Sequence, residues 1–278
     1  MVDTNAAAAP GLGPFGPLIT LWRHRRLIGR LARRELASRY RGSVLGLVWS
    51  GLTPFMMLAV YTFVFSSVFQ TRWTANSQNT GEFALFLFAG LTFFGILADN
   101  VNRAPGLILE NTAYIKTVIF PLEVMPAVTV ASALVSAGIN MVILMLFYGP
   151  VFGVPPVTAL LAPLVLIPHC LLVLGLCWFL SAAGVFLRDI RQFIAVLTTL
   201  LMFLSPIFYP AAAVPESVRT VIELNPLAPM LELWRACLFA GTPFDIVAFA
   251  KALALGWAVA WAGHACFIKA RKAFADVV

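Results

Sequence analysis

Residues 21–69 read LWRHRRLIGRLARRELASRYRGSVLGLVWSGLTPFMMLAVYTFVFSSVF. The first half is amphipathic. At roughly 100° per residue, Arg23, Arg26, Arg30, Arg33, Arg34 and Arg41 fall on one side of a helix, and Leu21, Leu27, Ile28, Leu31 and Leu36 fall on the other. Arg25 and Arg39 interrupt the pattern. A short joint, Arg41-Gly42-Ser43, leads straight into an apolar run long enough to cross a bilayer. The stretch therefore reads as a helix lying in the headgroup layer, fused to a membrane span. Each basic side chain near anionic lipid adds about 1 kcal/mol of attraction to such a helix. A solvated basic helix ahead of a span is the plainer alternative.

The rest of the chain fits a membrane setting. Of 278 residues, 61% are hydrophobic and 11% charged, and the mean hydropathy is +0.91, well beyond soluble domains. The fold class expected is all-α and polytopic. Six apolar runs approach the roughly 20 residues that a bilayer core demands: 44–69, 83–101, 122–148, 157–187, 193–209 and 246–268. The fourth is over-long and must tilt or contain an interfacial turn near Pro163 or Pro168. Residues 1–17, rich in Ala, Gly and Pro and lacking a basic start before an apolar core, do not resemble a cleavable signal peptide and read as a flexible tail. Residues 18–43 then form the interface helix, 44–270 the six-span domain and 271–278 a second tail.

A net charge of +7 raises the question of nucleic acid, but its distribution answers otherwise. With the amino terminus inside, fifteen of the nineteen Lys and Arg residues fall on the cytoplasmic side, which fixes the orientation and places both termini there. No nucleic-acid partner is expected, and the basic leader is expected at the inner surface of the membrane.

Several segments carry candidate functional residues. Between the second and third runs, residues 107–120 read as a short cytoplasmic helix presenting Tyr114 and Ile115, rimmed by Glu110, Asn111 and Lys116. An exposed aromatic beside an aliphatic residue suits docking into a groove on a partner; an interfacial helix resting on the bilayer is equally compatible with the composition. The next cytoplasmic connection holds Arg188, Asp189 and Arg191, which can cap helix ends or pair with one another. The first and fifth runs carry Tyr61, Phe65, Phe69, Phe203, Phe208 and Tyr209. Aromatic faces can stack on sugar rings without gripping any one hydroxyl, although most membrane aromatics pack or sit at the interface. After the fifth run, Pro226 and Pro229 divide residues 214–241 into two short helices that either dip into the outer leaflet or cap it.

Other functions lack their residues. There is no G-x-x-x-x-G-K-[ST] loop and no Gly-Lys pair, so ATP is not bound through that motif. Asp99 and Glu123 lie near cytoplasmic ends, leaving the span centres without a carboxylate relay for ion coupling. His169 falls within a span, where an imidazole bonded to a helix carbonyl is the simplest expectation. The four cysteines form neither a C-x-x-C pair nor a metal pattern. A transferase acting on polyprenyl substrates would need a D-x-D or D-x-x-D site, and neither occurs.

Taken in order, residues 34–46 with Trp49 and Pro54, Tyr114-Ile115-Lys116 before Phe120-Pro121, Phe186-Leu187-Arg188-Asp189-Ile190, Ser205-Pro206-Ile207-Phe208-Tyr209 and Leu224-Asn225-Pro226-Leu227 resemble the membrane subunit of ABC-2 type exporters for polysaccharides, such as O-antigen and capsule export permeases and the teichoic acid translocation permease. The resemblance covers residues from about 27 to 271. It implies two copies of this chain beside two ABC ATP-binding subunits, with ATP and Mg held by those subunits and no cofactor in this chain. It further implies that residues 110–120 form a coupling helix and 188–191 a second ATPase contact. By the same resemblance the first and fifth spans line a conduit, and the cargo is a lipid-linked polysaccharide. Arg34, Arg39 and Arg41 are then placed to attract a lipid diphosphate. A permease of the same architecture moving a small amphipathic drug or a lipid is the nearest rival.

Overall fold

The computed structural model describes residues 12–39, 48–68, 81–111, 120–210, 214, 216, 220, 222 and 224–274. Among these, every regular element is helical. In chain order they are α1 (Gly16–Arg23), α2 (Arg25–Arg39), α3 (Val48–Thr62), which runs on into a π-helical turn at Phe63–Val68, α4 (Gly81–Arg103), α5 (Met125–Phe152), α6 (Ala162–Phe186), α7 (Ile190–Leu204), α8 (Leu227–Arg235) and α9 (Ile246–Ala270).

Among the described residues, five stretches are long and apolar enough to cross a membrane: Val48–Phe65, Gly81–Gly106, Leu122–Phe152, Val157–Phe186 and Ile246–Ala273. The fifth run expected from the sequence, 193–209, is shorter. Its helix α7 has 15 residues, about 22 Å at 1.5 Å per residue, against a hydrocarbon core of roughly 30 Å. Pro206 explains the stop, because the residue before a proline is driven out of the α region, and Ser205 is extended at ψ 144°. The over-long fourth run resolves into a 3₁₀ turn at Val157–Leu161 followed by α6.

The central helix is α4, with 67% of its most apolar window buried, whereas α3 has 6%. α4 packs against α3, α5, α6, α7 and α8. α6 and α9 approach most closely, at glycines: a Cβ on Gly263 would strike the backbone of Gly175, and one on Gly175 the backbone of Val259. Small residues allow such contact where lipid offers no hydrophobic drive between helices. His169 is fully buried in α6, with Nε2 3.0 Å from the Phe93 carbonyl oxygen and its ring stacked on Phe93 at 3.9 Å.

The basic leader departs from a single helix. It breaks at His24 (φ −103°, ψ 11°) into α1 and α2. The apolar face expected from the sequence is present, with Ile28 and Ala32 buried and Leu27 and Leu31 partly so, while Arg23, Arg26, Arg30, Arg33 and Arg34 are exposed. That face rests on α5. α1 begins two residues before the expected boundary at 18, since Pro17 sits favourably in its first turn. It docks on α9: Thr20 Oγ1 lies 3.1 Å from His264 Nε2, Phe15 packs edge-on against Trp257 at 5.8 Å, and Trp261 Nε1 donates to the Leu12 carbonyl at 3.1 Å.

Candidate functional site

The connection between α4 and α5 turns at Ala104–Gly106, where Ala104, Pro105 and Gly106 are buried, as are Leu107 and Ile108 after them. Gly184 of α6 lets this turn sit tightly, because a Cβ there would collide with the Pro105 backbone. A second turn, Leu109–Asn111, carries Glu110 to 3.6 Å from Arg191 in the first turn of α7. Gly106 leaves room for that pair: a Cβ there would lie 2.9 Å from Glu110 Oε1. The structure thus joins the two charged connections that the sequence presented separately. Both partners are half-exposed, so the pair contributes at most about 1 kcal/mol to stability. Its effect is geometric. Arg188 and Asp189 are exposed beside it, and Asp189 occupies the N-cap of α7 without a side-chain cap bond.

Two further ion pairs flank the same connection. Before it, Arg103 bonds Glu35 of α2, and Glu35 lies 3.7 Å from Arg39 one turn along. After it, Glu123 meets Arg271 beyond α9 at 2.7 Å, with the Glu123 side chain 5% exposed. The Glu123 carbonyl also accepts a hydrogen bond from Trp178 Nε1 at 2.8 Å, and the Trp178 ring stands edge-on to His264 at 4.9 Å. Side chains in and beside the described parts of this connection thus touch α2, α7, α6 and the segment after α9.

The remaining predicted residues divide between two clefts and an aromatic group. Arg34 and Asn111 line one cleft of about 230 Å³ between α2 and the connection. Arg39 and Tyr61 line another, of about 340 Å³. Phe203 and Phe208 stack at 5.6 Å, and the Tyr209 hydroxyl donates to the Phe203 carbonyl at 2.9 Å. Phe65 stands apart from this group, tilted on Phe83 of α4 at 4.8 Å. Arg41, Phe69, Tyr114, Ile115 and Lys116 lie outside the described residues.

The sequence predicts short helices after α7, and α8 is one of them; what it does not reveal is the set of side chains that hold this region. Asn225 Nδ2 donates to Ser205 Oγ at 2.9 Å, and Asn225 Oδ1 accepts from Leu227 N at 2.9 Å. One side chain so ties the Ser205-Pro206 break to the start of α8. Arg235, buried at the end of α8, donates to the Pro206 carbonyl, to Ile207 at 2.8 Å and to Phe86 at 3.1 Å. Trp234 donates to the Ala89 carbonyl at 3.2 Å and packs on Phe93. Since α4 starts at Gly81, the contacts of Arg235 and Trp234 fall about 7 to 18 Å along it, so the end of α8 packs beside the body of α4. The paired dipeptides Ser205-Pro206 and Asn225-Pro226 were the available signal.

The model of the ABC-2 type transporter family matches residues 26–239. The chain belongs to the ABC-2 type transporter family. The matched region runs from α2 past α8 and includes Glu35, Arg103, Glu110, Glu123 and Arg191. This ABC-2 protein is similar to the O-antigen export system permease protein RfbA of Myxococcus xanthus, 29% identical over 261 residues, which are 93% of this chain and 97% of that one. It is also similar to two proteins of that name from Klebsiella pneumoniae, each 26% identical, over 252 residues (89% of this chain, 93% of the relative) and 216 residues (76% and 80%). As a member of the family with five long apolar helices, it is a multi-pass membrane protein with a transport role.

Proposed function

We propose that this chain is the membrane permease of an ATP-driven exporter that carries a lipid-linked O-antigen polysaccharide outward across a bacterial inner membrane. The observation that carries the reading is the likeness to O-antigen export permeases over most of the chain, and the Glu110–Arg191 bridge, which joins the two connections at the basic end, supports a docking platform there. A separate ATP-binding subunit holding ATP and Mg docks there, with Tyr114 and Ile115 on the contact and Arg188 and Asp189 beside it. A ligand shifts a conformational equilibrium only by binding its states differently, and this platform is where nucleotide state is felt. Positive-inside charge supports a cytoplasmic platform and cytoplasmic termini.

Two copies of the chain work with two ATP-binding subunits. Support comes from α3 with the turn after it and from α7, whose apolar side chains are largely uncovered: Val60 on α3, Phe63 in the turn that follows, and Phe193 and Phe203 on α7 are each more than half exposed. Apposed across two copies, these helices and the Phe203–Tyr209 group line the conduit. Arg34, Arg39 and Arg41 draw in the lipid diphosphate. Deleting the gene should abolish surface polysaccharide and leave lipid-linked polymer inside; unchanged surface display would refute the assignment. Tyr114→Ala with Ile115→Ala should reduce co-purification of the ATP-binding subunit, and undiminished co-purification would count against the docking role.

A further inference from the structure

The turn between α5 and α6, residues 153–161, differs from every other connection. Val154, Val157 and Leu160 are 91%, 83% and 80% exposed, the three most exposed large apolar side chains among the described residues. The chain carries no Asp, Glu, Lys or Arg from 124 to 187, across α5, the turn and α6. The other connections at this end of the helices are charged, with Arg72 and Glu82 between α3 and α4 and Glu216, Glu232 and Asp245 between α7 and α9. The turn is also firmly seated. The Thr158 hydroxyl donates to the Cys237 carbonyl, just past α8, at 2.9 Å. Before the turn, the Phe152 ring tilts on Phe239 at 5.5 Å, and Phe239 stacks on Phe86 of α4 at 4.1 Å.

Clustered apolar side chains left exposed mark a surface that something covers, and the backbone of the turn indicates what. Pro155 and Pro156 have no N–H, and Gly153 N and Ala159 N donate to the Gly149 and Pro156 carbonyls at 2.9 Å each. With the Thr158 hydroxyl bonded to Cys237, the turn keeps few donors for water. A protein interface surrounds its apolar centre with a polar rim, and this turn has no charge to build one. Hydrocarbon asks only that polar groups be satisfied within the chain. The height fits as well. α5 has 28 residues, about 42 Å, or about 39 Å of depth at the usual tilt of roughly 20°. Starting beside the Glu123–Arg271 pair at the basic end, it carries the turn to the opposite leaflet of a bilayer about 40–45 Å thick with its headgroups.

We infer that the α5–α6 turn is a lipid-embedded wedge, its Val154, Val157 and Leu160 seated at the headgroup–acyl boundary of the outer leaflet beside the end of α8. Its assignment to the outer leaflet rests on the orientation in the export reading above. The test uses the complete transporter, ATP-binding subunits included, in proteoliposomes of phosphatidylethanolamine and phosphatidylglycerol. Val154→Cys, Val157→Cys and Leu160→Cys are each labelled with a nitroxide, the signal from the native cysteines is subtracted, and relaxation by oxygen is compared with relaxation by a water-soluble nickel chelate. Val142→Cys, 70% exposed on α5, gives the lipid reference, and Asp245→Cys, exposed ahead of α9, the aqueous one. At all three positions of the turn the oxygen-to-nickel ratio should lie nearer the Val142 value and several-fold above the Asp245 value. A ratio equal to that at Asp245 would put the turn in water and overturn the inference. Protection from both relaxants would overturn it too, by placing a second copy or another protein over the turn. Orientation is read separately, with an impermeant maleimide on Asp245→Cys. Modification only from the side that holds the ATP-binding subunits sinks the export reading and the outer-leaflet assignment together, whereas modification from the far side with a wet turn sinks the wedge alone.

Discussion

Arg271→Ala should destabilise the protein more than Glu123→Gln, and the double variant should be more stable than Arg271→Ala alone. The pair is asymmetric: the Glu123 side chain is 5% exposed and that of Arg271 34%, at 2.7 Å. Removing the arginine strands a nearly dry carboxylate. Breaking a buried pair this way costs roughly 3–5 kcal/mol, and because water can reach the vacated side, about 2–3 kcal/mol is the figure expected here. Glu123→Gln keeps the volume and an acceptor, and the half-open guanidinium turns to water, for about 1 kcal/mol. With both changes no charge is left unpaired, so the double variant should stay near the Glu123→Gln value instead of the sum of the two. Unfolding in mixed micelles by an SDS titration, followed by tryptophan fluorescence, gives the three free energies. Arg271→Ala within about 0.5 kcal/mol of the parent, or strict additivity, would refute the reasoning.

The Glu110–Arg191 pair predicts the opposite balance. Glu110→Arg should move the unfolding free energy by less than about 1 kcal/mol while uncoupling ATP hydrolysis from export, and adding Arg191→Glu should restore coupling; a charge swap that rescues nothing would remove the bridge from the mechanism. Gly263→Val should cut the folded yield sharply, because the added carbons meet the Gly175 backbone, whereas Gly138→Ala, with open space around it, should be neutral or stabilising by up to about 1 kcal/mol; size-exclusion profiles of the purified proteins compare them directly. Asn225→Ala loses the bonds to Ser205 and to Leu227 N and should cost about 1–2 kcal/mol, read in the same SDS titration; an unchanged midpoint would mean that the turn holds without it.

What the sequence discloses here follows from its period and its charge. The arginine and leucine faces of residues 21–39 emerge as read, since a 3.6-residue repeat is a local property, and the long apolar runs emerge as helices for the same reason. The break at His24 has no proline or glycine to announce it. α7 is shorter than the apolar run because Pro206 ends it at Ser205, a signal present but outweighed by the apolar run continuing to Tyr209. The ion pairs are a different kind of information. Glu35 and Arg103 are 68 positions apart and Glu123 and Arg271 148, so each charge is visible as a membrane-edge residue while its partner is set by helix packing. The close approach of α6 and α9 was half legible, with Gly256, Ala260 and Gly263 forming a small-residue seam on α9. The cleft beside Arg39 needed three helices to be placed before Asp99, Ser136 and Asn140 could be seen to share a space.

The central claim is that the chain is a gate moved by nucleotide binding on another subunit. It is tested most directly by reconstituting the purified chain in proteoliposomes, alone and with its ATP-binding subunit, and measuring outward movement of lipid-linked polysaccharide with and without ATP. Movement that requires both the second subunit and ATP is the predicted result. Uphill movement by the chain alone would contradict the account.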